Sequence, residues 1–160
     1  MANCSVSEEL EMKTKPTEKL EDTIIRLLQH AGIGDYEVVQ PNRNEFGVRQ
    51  TVFRVGNLLL KFDEERDQVL TSVTSRSNSK TFYPFFTIGV AMGWRDIAEV
   101  KEIGKFEEVD ETISCIARNF EKLNIAFNPS NEVRTLFEIQ KIDDRINRMF
   151  ENHLRRVDKD

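Results

Sequence analysis

Asp63, Glu64, Glu65, Arg66 and Asp67 form the longest unbroken run of charged residues in the chain, set between "NLLLKF" and "QVLTSVTS". Such a cluster can do chemistry in two ways. Two acids whose surroundings push their pKa values apart can serve as general acid and general base, and carboxylates that converge with ligands from other elements can hold a divalent cation. Either use needs partners elsewhere, and the sequence marks none. His30 and His153 have no second His at metal spacing, and Cys4 and Cys115 form no paired CxxC. There is no Gly-x-Ser-x-Gly and no glycine-rich phosphate loop; "GIG" at Gly32 to Gly34 follows a helical pattern and reads as a helix stop. "ELEMK", with Glu11 and Lys13, shares a fragment with a nuclease motif but lacks its partner acid. No catalytic residue, cofactor or metal ligand is assigned. The enzyme reading that survives is a site whose residues converge only in three dimensions.

The elements that would carry the acidic run explain it more simply. Alternation puts Leu58, Leu60 and Phe62 on one face of a strand and Asn57, Lys61 and Asp63 on the other, so one face packs and the other is wet. Glu64 to Arg66 then form a loop, and charges at a hairpin tip discourage edge-to-edge pairing. Together with "DYEVVQP", "VRQTVFRV" and "QVLTSVTS", this strand makes a four-strand antiparallel meander. A helix precedes it, with Leu20, Ile24, Leu27 and Leu28 on one face, Pro16 or Thr17 at its start and Gly32 as its stop. Residues 1–14 read as a polar tail, and 15–155 as one domain.

Past the sheet, "FYPFFTIGVAMGWRDI" predicts a short buried helix, with Pro84 in its first turn and Phe85, Ile88 and Met92 at helical spacing. Trp94 is either core or a partly exposed binding anchor. "DETISCIARNFEKLNIAF" predicts one helix capped by Asp110, its core stripe running through Ile113, Ile116, Ala117, Phe120, Leu123 and Phe127, with Cys115 beside it. A long helix from Val133 to Leu154, capped by Ser130 or Asn131, repeats Leu136, Phe137, Ile139, Ile142, Ile146, Met149 and Phe150. Phe85, Ile88, Ile113, Phe120, Phe137 and Ile146 are expected to share a core with Leu58, Leu60 and Phe62. The expected architecture is α+β: the meander, an N-terminal helix, and C-terminal helices packed on one face.

The net charge is -5 over 160 residues, and most of it lies in one stretch. From Arg95 to Glu111, seven acids (Asp96, Glu99, Glu102, Glu107, Glu108, Asp110, Glu111) oppose three bases, a net of -4. From Asn131 onward, seven acids balance seven bases, and no basic stripe with interleaved aromatics is visible, which disfavours nucleic acid. No apolar run approaches the roughly 20 residues of a membrane span, and two cysteines suit a reducing cytosol. The acidic stretch is either a solvated linker and helix start or a surface that meets a basic partner.

"VGNLLLKFDEERDQVLTSVTS" followed by "FYPFFTIGVAMGW" resembles, at the level of pattern, the immunity proteins encoded beside bacterial polymorphic or contact-dependent toxins. The resemblance covers Val55 to Trp94 and implies a cytoplasmic, non-enzymatic protein that neutralises a toxin by stoichiometric occlusion, often a basic nuclease met through acidic surface. On that reading the partner-binding residues are Trp94, Asp96, Glu99, Glu102, Glu107, Glu108, Asp110 and Glu111, and the partner is a basic toxin domain. The alternative is a regulatory or adaptor module that homodimerises through its C-terminal helix.

Overall fold

The computed structural model describes residues 19–43, 49–65, 68–102 and 108–157. Helix α1 (Leu20–His30) buries Ile24 and Leu28 completely and turns out at Gly32, where the Ile33 amide donates back to the Leu28 carbonyl at 2.9 Å. Pro16 and Thr17, Glu11 and Lys13, and the tail at 1–14 lie outside the described residues.

The sheet is antiparallel, with strands in chain order: β1 (Tyr36–Arg43), β2 (Arg49–Val55), β3 (Leu58–Glu65), β4 (Gln68–Ser75) and the two-residue β5 (Tyr83–Pro84). It has five strands where the sequence predicts four. The fifth forms because the chain returning from β4 lays Tyr83 beside Val73 and Pro84 beside Ser72 before the next helix begins. The inner face of the sheet is as alternation predicts: Phe53, Val55, Leu58, Leu60 and Phe62 are fully buried, with the Phe53 and Phe62 rings edge-on at 6.0 Å. The outer face is drier than predicted. Val52, Leu59 and Thr74 are buried on it, and the Lys61 ammonium sits 4.7 Å from the Phe82 ring centre.

The acidic run is also placed differently. β3 continues to Glu65 instead of opening at Glu64, since Glu64 pairs with Val69 and Glu65 with Gln68. Glu64 therefore shares the face of Leu60 and Phe62, and its Oε2 is buried with no hydrogen-bond partner, whereas Glu65 is exposed. On the outer face, the Asp63 carboxylate accepts from Gln50 and lies 3.7 Å from Lys61, so it belongs to a cross-strand network. Arg66 and Asp67 lie outside the described residues.

Helix α2 (Phe85–Met92) buries Phe85, Thr87, Ile88 and Gly89; Pro84 is its N-cap, one place earlier than predicted. A 3-10 turn (Ile97–Glu102) follows. The predicted helix 110–127 is two helices, α3 (Val109–Arg118) and α4 (Phe120–Ala126), broken where Asn119 leaves helical geometry and its side-chain amide donates to the Cys115 carbonyl at 2.9 Å. Glu108, not Asp110, precedes the first turn of α3. The break moves Phe120 off the stripe: it is half-buried, while Ile113, Ile116, Leu123 and Phe127 are in the core. Helix α4 also closes the β2–β3 turn, since Asn124 accepts from the Asn57 amide and its carbonyl accepts from the Asn57 side chain.

Helix α5 (Glu132–Val157) meets the rest of the protein along one narrow line. Ile139 and Ile146 are buried, Leu136, Ile142 and Met149 are half-buried, and Phe137 is 60% exposed rather than in the core. At about 100° per residue, Phe137 stands about 160° round the axis from Ile139 and on the opposite side from Ile146. All residues from 150 to 157 are exposed, so the last two turns extend past the body.

Candidate functional site

Helix α2 ends at Gly93, whose φ of 85° is a left-handed conformation that favours glycine. The reversal lets the amides of Trp94 and Arg95 both donate to the Gly89 carbonyl, at 3.0 and 3.1 Å, and it folds the indole back over the helix it follows. Trp94 rests against Phe85, ring centres 6.2 Å apart, and against Gly89, where a Cβ would stand 2.6 Å from the indole nitrogen. The ring is thus half-buried, part core and part surface. Its Nε1 is buried without a hydrogen-bond partner.

Across from Trp94 lies α3. The two sides form an open groove of about 870 Å³, lined by Trp94, Arg95 and Glu99 from one side and Asp110, Glu111, Ser114, Cys115, Arg118 and Asn119 from the other. Four of the sequence-predicted site residues, Trp94, Glu99, Asp110 and Glu111, therefore meet here. Asp96 is exposed nearby but outside the lining, its carboxylate capping the 3-10 turn through the Ala98 amide at 2.9 Å, and Glu108 is exposed at the entry to α3. Glu102 ends the 3-10 turn, with only its backbone described, and Glu107 lies outside the described residues.

The charge of the groove is more balanced than the count along the chain implies. Arg95 and Arg118 share the lining with the three acids, and the Arg95 guanidinium lies 3.9 Å from the Glu99 carboxylate. Sequence reasoning missed Arg118, Ser114, Cys115 and Asn119. The signal was available, because Glu111, Ser114, Cys115 and Arg118 recur at three- and four-residue spacing opposite the buried stripe of α3. Cys115 is half-buried, with the Asn119 side-chain nitrogen 3.7 Å from its sulfur.

A second polar cluster joins β5, α2 and α5. The Tyr83 hydroxyl donates to Gln140 at 2.6 Å, Thr87 donates to Asp143 at 3.3 Å, and Gln140 donates to Asp144 at 2.9 Å. Burial raises the Asp143 carboxyl above the ordinary aspartate value; the Thr87 hydrogen bond partly offsets this and the neighbouring Asp144 adds to it. Tyr83 is raised for the same first reason, with the charges of Asp143 and Asp144 adding. The hydrogen bonds run from one element to the next and tie α5 to the body.

Among the described residues no group of three or more His, Cys, Asp or Glu is placed to hold a metal ion, and no helix is long and apolar enough to cross a membrane. Comparison with protein-family models, with curated proteins and with solved structures found no match.

Proposed function

We propose that this chain is a binding protein of the immunity or inhibitor type, which neutralises a toxin domain by stoichiometric occlusion, and that the groove between Trp94 and α3 is where the partner seats. The observation that carries this reading is the indole of Trp94. A large aromatic ring held by Gly89 and Phe85 at the wall of an open groove has the make-up of an interface anchor. The carboxylates of Glu99, Asp110 and Glu111 around it favour a partner that brings a Lys or Arg into the groove. Arg118 and Arg95 restrict that preference to a partner that also carries an acceptor, which sharpens specificity beyond net charge.

The test is affinity capture from the native host, followed by expression of the captured protein on its own. A basic protein that arrests growth alone, is rescued by coexpression with this chain, and is held less tightly by the Asp110→Lys/Glu111→Lys variant would support the reading. Recovery of such a protein with binding that ignores both changes would move the interface elsewhere. Recovery of no toxic partner would remove the immunity role.

A further inference from the structure

Arg134, Lys141, Arg148 and Arg155 stand seven residues apart in the chain. On α5 they form one row about 32 Å long, with about 10.5 Å between neighbours, on the side away from the buried line of Ile139 and Ile146. At about 100° per residue, Arg145 also lies within about 40° of Lys141 around the axis, and no acid does. Glu138 and Asp144 stand about 60° to either side and Glu151 about 80° away, so acids flank the row without interrupting it. The balance of seven acids and seven bases in this part of the chain conceals that arrangement. Arg134, Arg145, Arg148 and Arg155 are exposed and ion-paired with nothing among the described residues. Lys141 lies 3.4 Å from Glu138 and 4.5 Å from the centre of the Phe137 ring, which is 60% exposed.

We propose that this row is a docking surface for an acidic α-helix of another protein, one that presents carboxylates every seven residues along one face. The repeat selects the occupant. Carboxylates at seven-residue intervals on a second helix are also about 10.5 Å apart, so each base of the row faces one. Successive bases step back about 20° round the axis, and a partner helix crossing at about 20° follows that drift along the whole row. An extended peptide brings side chains to one face at intervals of about 6.7 Å, out of step with the row. Duplex nucleic acid carries a charge about every 3.4 Å along each strand and would leave most of its phosphates unmatched. Phe137, beside Arg134 and Lys141, offers the partner helix an apolar contact. Exposed ion pairs are individually weak, so the association is fast to form and strongly dependent on salt. This inference is independent of the groove at Trp94, which lies on other elements.

The test titrates the full chain into two labelled synthetic helical peptides of identical composition and follows fluorescence anisotropy. One peptide carries its glutamates at seven-residue spacing; the other carries them at five-residue spacing, which scatters them round the axis in steps of about 140°. At low ionic strength the first should bind at least about tenfold more tightly than the second, and added salt should weaken it. The Lys141→Gln/Arg148→Gln variant should bind the first peptide at least about tenfold more weakly while its thermal melt stays unchanged. Equal binding of the two peptides, binding of neither, or binding that ignores the double variant would overturn the proposal. Tighter binding of a single-stranded RNA of equal charge would overturn it in favour of a phosphate site. Self-association that the double variant abolishes would overturn it in favour of a second copy of the chain.

Discussion

Helices α3 and α4 on one hand, and α5 on the other, carry apolar stripes of similar composition but bury them very differently. The first stripe faces the inner side of the sheet and α1 together, so Ile113, Ile116, Leu123 and Phe127 are all enclosed. The second touches the body along Ile139 and Ile146 and leaves Phe137, Phe150, Leu154 and Val157 exposed. A helix wedged between two elements buries a broad arc; one laid across an edge buries a line and keeps its remaining apolar residues available. The difference also separates two kinds of surface: a groove with a fixed aromatic wall beside α3, and a long exposed face on α5.

The sharpest way to break this comparison is to shorten one phenylalanine on each side. Phe127→Ala should cost about 3–5 kcal/mol in urea melts, as for a fully buried ring, while Phe137→Ala should cost less than about 0.5 kcal/mol in dilute solution. Phe120→Ala, half-buried at the start of α4, belongs between them. Equal losses at 127 and 137 would mean that both stripes are core.

The fixed wall of the groove is tested next. A methyl group at Gly89 would meet the indole nitrogen at 2.6 Å and Arg95 Cγ at 2.8 Å, so Gly89→Ala should displace Trp94 and cost about 1–3 kcal/mol. Trp94 is the chain's single tryptophan, and its fluorescence should shift to longer wavelength as the ring leaves its seat. Unchanged emission would show that the ring is not held there.

A smaller effect distinguishes neighbouring acids on β3. Glu64→Met removes a buried oxygen that lacks a partner and should raise stability by up to about 1 kcal/mol, whereas Glu65→Gln on the exposed side should change it by less than about 0.5 kcal/mol. Identical behaviour of the two would restore the hairpin-tip reading.

The weakest expected signal is a pH dependence at the seam of α5. The Asp143 carboxyl is raised above the ordinary 3.8, so the folded protein keeps this proton where the unfolded chain has released it. Its stabilising contribution is full below the ordinary value and is lost as pH rises through the raised one. Asp143→Asn, which keeps an acceptor for Thr87, should flatten that part of the stability profile. A profile unchanged by the substitution would place the carboxyl in solvent.

Much of the frame was legible because local pattern and tertiary burial agree in it. The spacing of Ile24 and Leu28, the alternation of Leu58, Leu60 and Phe62, and, Phe120 apart, the stripe through Ile113, Ile116, Leu123 and Phe127 each give one answer, and each is realised. What was not legible depends on contacts distant in sequence. β5 exists because the edge of β4 is there to receive it, and the break at Asn119 depends on a side chain competing for a backbone carbonyl that an uninterrupted apolar pattern does not register. Phe137 is a different case. Its neighbours Leu136 and Ile139 suggested a shared stripe, but its angle to Ile146 already placed it on the far side of the helix. At the site, the meeting of Glu99 with Asp110 and Glu111 beside Trp94 followed from a charged stretch folding back on itself. Arg118 and Cys115 were invisible to a search for acidic runs.

Amide hydrogen exchange, with and without the captured partner, tests the groove most directly. The account predicts that binding slows exchange in the segments around Trp94 to Glu99 and Glu108 to Asn119, and that Trp94→Ala abolishes that protection while the chain stays folded. Protection confined to the outer face of the sheet or to α5, with 94–99 and 108–119 unchanged, would contradict it.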